Sequence, residues 1–219
     1  MWKYILKKIL WYGALLLGAT LVLYLILDLA PGDPARCILG KPVIYLYPEE
    51  VTDAEVRLEV EGELTCTYPA YQNGWAVTAQ PDGTLIDREG KTYSCLFWEA
   101  ESTADFDMTR GFCVRGSDTA AFLEESLTAL GLNARERNEF IIYWLPQMEG
   151  NAYNRISFQQ AAYTDLAKLE ITPTPDSLLR VFMAWQPLEQ EIDIEPQSFV
   201  PCARTGFTVV EWGGTELPK

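Results

Sequence analysis

The sequence predicts an α+β fold: an antiparallel, sandwich-like β-sheet domain with two or three helices, preceded by one transmembrane helix. Several segments after residue 41 alternate apolar and polar residues with a period of two, which is typical of strands with one buried face. Two segments of helical spacing follow capping residues. An uncharged, apolar run of 19 residues occupies positions 9–27.

The apolar run is long enough to span a bilayer core of roughly 30 Å at about 1.5 Å per residue. Lys3, Lys7 and Lys8 precede it, and cationic flanks favour a cytoplasmic N-terminus. The sequence therefore predicts a single-pass cell-membrane protein with an extracytoplasmic main domain. The expected division is a basic flank and membrane helix over 1–29, a linker over 30–40 and the domain over 41–219.

Two alternatives for the N-terminal segment are a cleaved secretory signal and a lipoprotein signal. Signal-peptide cores run roughly 7–15 residues and end at a small-x-small site. Cleavage after Ala30 or after Ala35 would require a small residue two positions earlier. The sequence has Asp28 and Asp33 at these positions. A lipid-modified Cys37 would follow Arg36 instead of a small residue. These departures favour a retained helix.

The first forty residues carry a resemblance. The basic apolar helix followed by Ala30-Pro31-Gly32-Asp33-Pro34-Ala35 resembles the opening of the membrane permeases of peptide ABC transporters. The resemblance implies a permease-like anchor or an association with such a transporter. No second hydrophobic run follows, so the chain alone is not expected to form a channel.

Composition narrows the function classes. The formal net charge is −14, and from Lys41 onward 13 basic and 29 acidic residues give −16. Such a field repels nucleic acid, so no nucleic-acid partner is expected. The chain has no histidine, which removes the commonest general base and transition-metal ligand. No C-x-x-C spacing occurs, so a zinc site is not expected. We also expect no other metal and no cofactor.

The five cysteines are the basis of a disulfide prediction. Outside the cytoplasm disulfides persist, and the four domain cysteines allow three pairings. Cys66–Cys95 is favoured because both lie on neighbouring predicted strands, and Cys113–Cys202 follows. Cys37 is left as the odd residue, either free or linking two chains.

Predicted strands follow the chain from its first apolar segment. Positions 54–61 alternate cleanly, and continued parity would turn Leu64, Cys66 and Tyr68 inward. Turns at Asn73-Gly74 and Pro81-Asp82-Gly83 suggest an antiparallel meander. The other predicted strands cover 43–47, 75–80, 91–99, 155–159, 178–186 and 206–212.

Two helices have identifiable ends. The first is capped by Ser117 or Asp118 and stopped by Gly131. Asn133, with Glu136 three residues later, predicts a capping box for the second. Pro146 is expected to end that helix. A short helical stretch is expected between the strands over 155–159 and 178–186.

A second resemblance covers nearly all of residues 41–219. Its motifs resemble a family of uncharacterised bacterial envelope proteins, which implies placement in the envelope but no activity. They are Lys41–Pro48, Thr67–Pro69 with Asn73–Trp75, Arg137–Phe140 with Tyr143–Pro146, and Gly206–Gly214.

The sharpest chemical constellation pairs Trp98-Glu99 with Glu211-Trp212. Two carboxylates on apolar strand faces are compatible with a glycosidase acid/base pair that uses tryptophan as a sugar platform. The alternative, which we favour, is that each is a buried acid satisfied by Arg180, Arg204 or backbone donors.

Aromatic residues suggest a possible binding surface, although aromatics at strand spacing are more often core. The candidates are Tyr45, Tyr47, Trp75, Trp98 and Trp212. Three functions therefore stand: a membrane-anchored envelope binding or accessory module, a subunit associated with a peptide ABC transporter, and a carboxylate-dependent glycan hydrolase. The first is preferred, and an enzyme is the less favoured class.

Overall fold

A computed structural model describes residues 37–199 and 203–218, together with positions 2, 7, 8, 11–13, 16, 18 and 20. The chain divides into two units, Met1–Arg36 and Cys37–Lys219. The described positions of the first unit are helical and exposed.

The predicted transmembrane helix is contradicted by the structure. No helix among the described residues is both long and apolar enough to cross a membrane. The single-pass anchor and the cell-membrane location that rested on it are therefore corrected. Most of positions 9–27 lie outside the described residues. Of the predicted linker, positions 30–36 also lie outside them, whereas Cys37–Gly40 begin the first strand.

The second unit is mostly β-structure, so the predicted α+β class is wrong. The described part of this unit contains twelve strands and three α-helices. The strands are β1 (Cys37–Tyr47), β2 (Thr52–Val60), β3 (Glu63–Tyr68), β4 (Trp75–Ala79), β5 (Leu85–Asp87), β6 (Thr92–Tyr93), β7 (Leu96–Ser102), β8 (Phe112–Arg115), β9 (Tyr153–Phe158), β10 (Ala167–Thr172), β11 (Ser177–Leu188) and β12 (Thr208–Glu216). The helices are α1 (Thr119–Ala129), α2 (Ala134–Met148) and α3 (Gln160–Leu166).

The strands form two sheets. The seven-stranded sheet has the order β3-β7-β1-β12-β11-β9-β8, and the five-stranded sheet has the order β10-β2-β4-β5-β6. Neighbouring strands are antiparallel except β11 and β12, which run parallel. The prediction of a purely antiparallel sheet is wrong at this pair, because the long segment between the two strands carries the chain back to the same end.

Two apolar cores separate three layers. One core lies between the sheets and joins residues such as Ile44 and Val56, with helix α3 contributing Tyr163. The other lies between the opposite face of the seven-stranded sheet and helices α1 and α2, and it includes Phe140 and Trp212. Successive residues of a central strand therefore point into different cores.

The alternation predicted over 54–61 is confirmed, but its extension to Tyr68 is wrong. Strand β2 lies in the five-stranded sheet, and β3 lies at the edge of the seven-stranded sheet. The chain changes sheets at Gly62, where an added Cβ would lie 2.2 Å from the Glu101 carbonyl oxygen. Leu64 still packs against the core between the sheets, as predicted. The β3–β7 register then shifts between Leu64 and Cys66, so Cys66 and Tyr68 are exposed instead of inward.

The capping box at helix α2 is confirmed. The Glu136 backbone N–H donates to Asn133 Oδ1 at 3.0 Å, and the Asn133 N–H donates to Glu136 Oε2 at 2.8 Å. Pro146 does not end the helix, which continues to Met148. A proline so near the C-terminus removes one backbone hydrogen bond without interrupting the helix earlier.

Candidate functional site

Glu211 lies on β12 in the core between the two sheets. Arg180 Nε donates to Glu211 Oε2 at 2.6 Å, with side-chain exposures of 6% and 0%. Trp98 Nε1 donates to the other carboxylate oxygen at 3.1 Å. The guanidinium also donates to the Ala167 carbonyl at 2.6 Å and stacks over the Tyr163 ring. The interpretation of Glu211 as a buried acid satisfied by arginine is confirmed.

Glu99 points to the opposite face of the same sheet. Its neighbours Trp98 and Ala100 belong to the core between the sheets, so Glu99 faces the helices. Its carboxylate accepts a hydrogen bond from the Lys41 backbone N–H at 3.4 Å. Burial first, and then the charge of Glu99, raise the pKa of Tyr143 on helix α2.

The two glutamates therefore do not form an acid/base pair. A glycosidase needs both carboxylates at one glycosidic bond, whereas the sheet itself separates Glu99 from Glu211. Arg204, a predicted partner for these acids, instead donates to both oxygens of Glu136 at 2.8 and 2.9 Å.

The predicted aromatic binding surface is not exposed. Trp98 and Trp212 are fully buried, and Tyr45 and Trp75 are 1% and 3% exposed. Tyr47 is half-buried beside the ring-stacked Tyr45. The four buried rings pack the two cores, and their role as ligand contacts stays a prediction.

The predicted Cys66–Cys95 disulfide is also wrong, because both residues are free thiols. Cys66 lies opposite Glu99 in the β3–β7 register. Cys95 lies four residues before Glu99, about 13 Å along the strand at 3.3 Å per residue, which is too far for a bridge. Cys113 is free as well, and its proposed partner Cys202 lies outside the described residues.

A groove with a volume of about 540 Å³ lies on the outer face of the five-stranded sheet. Gly74 and Ala76 form its floor. Ala76 pairs with Glu55 on β2. The β4–β5 pairing ends where Val77 pairs with Asp87, and Arg88 follows in the turn of the β5–β6 hairpin. Ala76 is an outward position of β4 with a one-carbon side chain, and Gly74 lies directly before this strand, where an added Cβ would lie 3.3 Å from Arg57 Cγ. Its other lining residues are Arg57, Pro69, Ala70, Gln72, Asn73, Trp75, Glu89, Lys91 and Tyr93.

One wall of the groove is the loop that precedes β4. The Trp75 indole is buried and donates from Nε1 to the Pro69 carbonyl at 2.8 Å. Tyr71 packs edge-on against Trp75 at a ring distance of 4.7 Å. The Tyr71 hydroxyl accepts from the Leu58 N–H at 3.0 Å and donates to the Leu58 carbonyl at 3.1 Å. Buried anchors thus fix this wall to the sheet.

The opposite wall is the β5–β6 hairpin, which Asp87 holds in shape. Asp87 Oδ1 accepts from the backbone N–H groups of Glu89 and Lys91 at 2.9 Å each, and Oδ2 accepts from the Tyr93 hydroxyl at 2.9 Å. Desolvation opposes ionisation, but the hydrogen bonds from Lys91 and Tyr93 outweigh it and lower the pKa of Asp87. The hairpin therefore keeps an ionised, fully bonded carboxylate at its base.

The groove is charge-balanced on a strongly acidic chain. Three cationic and three acidic side chains line it: Arg57, Arg88, Lys91, Glu55, Asp87 and Glu89. Lys91 pairs with Glu89 at 2.6 Å, and Arg57 pairs loosely with Glu55 at 3.5 Å. Arg88 is exposed and makes no hydrogen bond or ion pair with any residue that the structure describes.

No three acidic or cysteine side chains converge in a metal-binding group within the described part of the chain. Sequence reasoning identified Asn73-Gly74 as a turn and named Trp75 as a binding candidate, but it did not find the groove. Ala76 lies between Trp75 and Val77 in the sequence, and its charged neighbours in the groove come from other segments, so the local sequence carries no signal of the groove.

Comparison with known proteins gives one informative match. A 64-residue segment is 47% identical to a protein of Butyrivibrio fibrisolvens described as an uncharacterised protein in the bglA 3′ region. The match covers 28% of this chain and 66% of that protein, just under two thirds of its length. No established family profile matches the chain, and no solved structure matches it. The two resemblances noted from the sequence therefore stay predictions.

Proposed function

We propose that this chain is a non-catalytic binding module and that its ligand occupies the groove on the five-stranded sheet. The observation that carries the proposal is a bare floor, Gly74 and Ala76, between two walls that are each fixed by hydrogen bonds to the sheet. A site that is rigid before binding does not pay the ordering cost that weakens association.

The disposition of the reactive side chains supports binding over catalysis. Glu211 is held by Arg180 and Trp98 in a dry core, and Glu99 lies on the other face of the sheet. Burial raises the pKa of the Cys37 and Cys95 thiols, which keeps them in the un-ionised and poorly nucleophilic form at neutral pH.

Charged groups at the groove supply binding specificity. Pockets combine apolar lining with a few polar groups that orient a ligand. Pro69, Ala76 and Tyr93 provide apolar surface here, and Arg57 and Arg88 provide planar guanidinium donors.

Chemical-shift mapping tests the proposal. Acetate, ethylamine, triglycine and glucose are titrated separately into the ¹⁵N-labelled full chain. We expect at least one probe to shift the backbone amides of Gly74, Ala76 and Glu89. Ala76→Leu fills the floor and should abolish those shifts. Ala121→Leu, the same change at an exposed position of helix α1, should retain them.

Two results contradict the proposal. One is that no probe shifts the groove amides. The other is that Ala76→Leu, shown to be folded by its unchanged dispersion elsewhere, responds to the probes as the parent does.

A further inference from the structure

Strand β10 forms one edge of the five-stranded sheet. Its six residues pair with β2 in a register without a shift, from Ala167 to Thr172. The other three sheet edges among the described residues differ. Strand β6 has two residues, β3 carries a register shift, and Gly111, just before β8, donates its N–H to the Glu195 carbonyl at 2.8 Å. A regular edge without such features can accept a further strand.

The backbone groups of Leu169 and Ile171 point away from β2. Hydrogen bonds along an antiparallel strand alternate between its two sides. The Glu61 N–H donates to the Leu166 carbonyl at 2.8 Å, so the even-numbered residues of β10 bond to β2 and the odd-numbered residues face the open side. Among the described residues, no backbone group bonds to those of Leu169 or Ile171 from that side.

Leu58 on β2 supports this orientation. It lies opposite Leu169 in the register, yet its N–H donates to the Tyr71 hydroxyl at 3.0 Å and its carbonyl accepts from the same hydroxyl at 3.1 Å. Both backbone groups of Leu58 therefore point away from Leu169, as they do in a non-hydrogen-bonded pair. The N–H and C=O groups of Leu169 are consequently available at the edge.

The outward side chains of β10 and β2 alternate in charge. Lys168 lies opposite Glu59, and Glu170 lies opposite Arg57. All four side chains belong to exposed residues. A lysine on an edge strand usually opposes pairing with another chain, but here an acid follows two residues later on the same face. The edge therefore presents one charge of each sign to an incoming strand.

We infer that β10 pairs antiparallel with β10 of a second copy of this chain, about a two-fold axis at Leu169. Such an interface uses the same surface on both copies. This register places Lys168 of each copy opposite Glu170 of the other, and opposite charges at facing positions stabilise a strand pair. Since each of these residues already has an opposite charge on β2, the charges alternate across all four strands.

The charges also select this register over its neighbour. A shift of two residues keeps the outward backbone groups facing each other, but it places Glu170 opposite Glu170 of the second copy, and like charges at facing positions are destabilising. In the favoured register the outer faces of both five-stranded sheets form one ten-stranded surface. The pairing does not depend on the proposed function of the groove.

Backbone geometry makes the pairing short. Leu169 and its copy exchange two hydrogen bonds, and Ala167 lies opposite Ile171 of the second copy. The Ala167 N–H already donates to the Tyr163 carbonyl, and the Ala167 carbonyl accepts from Arg180 at 2.6 Å. The net charge of −14 on each copy also opposes association. We therefore expect a dimer that dissociates on dilution.

Sedimentation equilibrium of the full chain, at concentrations up to about 0.5 mM, tests the inference. The parent should show a monomer–dimer equilibrium. Lys168→Glu places acids opposite each other at both facing positions of the dimer, and Glu170→Lys places cations opposite each other. Each variant alone should dimerise at least about ten-fold more weakly than the parent, because two attractive pairs become repulsive.

Mixing the two variants should restore the parent affinity. In the mixed dimer each acid of the Lys168→Glu chain lies opposite a lysine of the Glu170→Lys chain. Glu124→Lys is a matched control, because it makes the same change at an exposed position of helix α1. This control should dimerise as the parent does, and mixing it with Lys168→Glu should not restore the parent affinity.

Three results overturn the inference. The first is a parent that stays monomeric at the highest concentration. The second is a variant that alone dimerises as tightly as the parent, which is also the result expected if the copies associate through another surface. The third is a mixture of Lys168→Glu and Glu170→Lys that does not recover the parent affinity, although circular dichroism and thermal unfolding show both variants to be folded.

Discussion

Replacing Glu211 by glutamine leaves a buried guanidinium without its counter-ion. Glutamine preserves the shape of the side chain and an acceptor for Trp98 Nε1, so the main change is one charge. Arg180 remains in place with its side chain 6% exposed and still donates to the Ala167 carbonyl. Among the described residues, no other carboxylate lies within ion-pair distance of Arg180.

The expected loss is about 3 kcal/mol of unfolding free energy, the low end for removing one partner of a buried pair, because the amide oxygen still accepts a hydrogen bond. For a domain of this size each kcal/mol corresponds to about 2–4 °C, so the melting temperature should fall by about 6–12 °C. Urea unfolding monitored by tryptophan fluorescence gives the free energy directly.

Two comparisons isolate the charge. Glu89→Gln breaks a pair whose side chains are 72% and 65% exposed, and it should leave stability nearly unchanged. The double variant Arg180→Met with Glu211→Gln removes the stranded cation and should be more stable than Glu211→Gln alone. The reasoning is refuted if Glu211→Gln costs no more than Glu89→Gln, or if it abolishes a glycan-hydrolase activity of the parent at unchanged melting temperature.

Three further changes test local features of the fold. Asn133→Ala removes the cap of helix α2 and should lower the unfolding free energy by about 1 kcal/mol, measured by urea unfolding; an unchanged midpoint contradicts the cap's role. Burial and then the contact with Glu139 raise the pKa of Tyr45, so the folded state disfavours its ionisation and loses about 1.4 kcal/mol per pH unit above about pH 10. Tyr45→Phe should make that alkaline limb of the stability profile shallower, and an identical slope would count against the burial argument. Gly83→Ala places a Cβ 2.7 Å from a Tyr47 ring carbon at φ +87°, so thermal unfolding should show a loss of about 1–3 kcal/mol, and no loss contradicts the steric reading.

Local patterns in the sequence predicted local structure well. The alternation over β2 and the capping box of Asn133 with Glu136 depend on neighbours within a few residues, so the sequence carries their signal. The burial of Glu211 was also predicted, with Arg180, Arg204 and backbone donors as candidate partners, because an acid on an apolar strand face requires a partner.

Features that depend on distant parts of the chain were not predicted. The parity of Cys66 and Tyr68 reversed because the β3–β7 register shifts between Leu64 and Cys66, which no alternation pattern records. The parallel pairing of β11 with β12 is likewise set by the path of the connecting segment. Glu99 and Glu211 each showed an apolar-face pattern, but that pattern does not say which of two cores a residue faces.

The groove escaped prediction for a related reason. Ala76 and Gly74 are unremarkable in sequence, and the charged residues around them come from two other strands. Only the pairing of β2, β4 and β5 brings Glu55, Ala76 and the hairpin that carries Arg88 to one groove.

The response of the groove amides to the titrated probes, in the parent and in two leucine variants, tests the groove most directly. The parent and Ala121→Leu should show the same chemical-shift changes at Gly74 and Glu89. These changes should be lost in Ala76→Leu, because the leucine side chain occupies the floor. An unchanged response of a folded Ala76→Leu variant would contradict the assignment of the groove as the binding site.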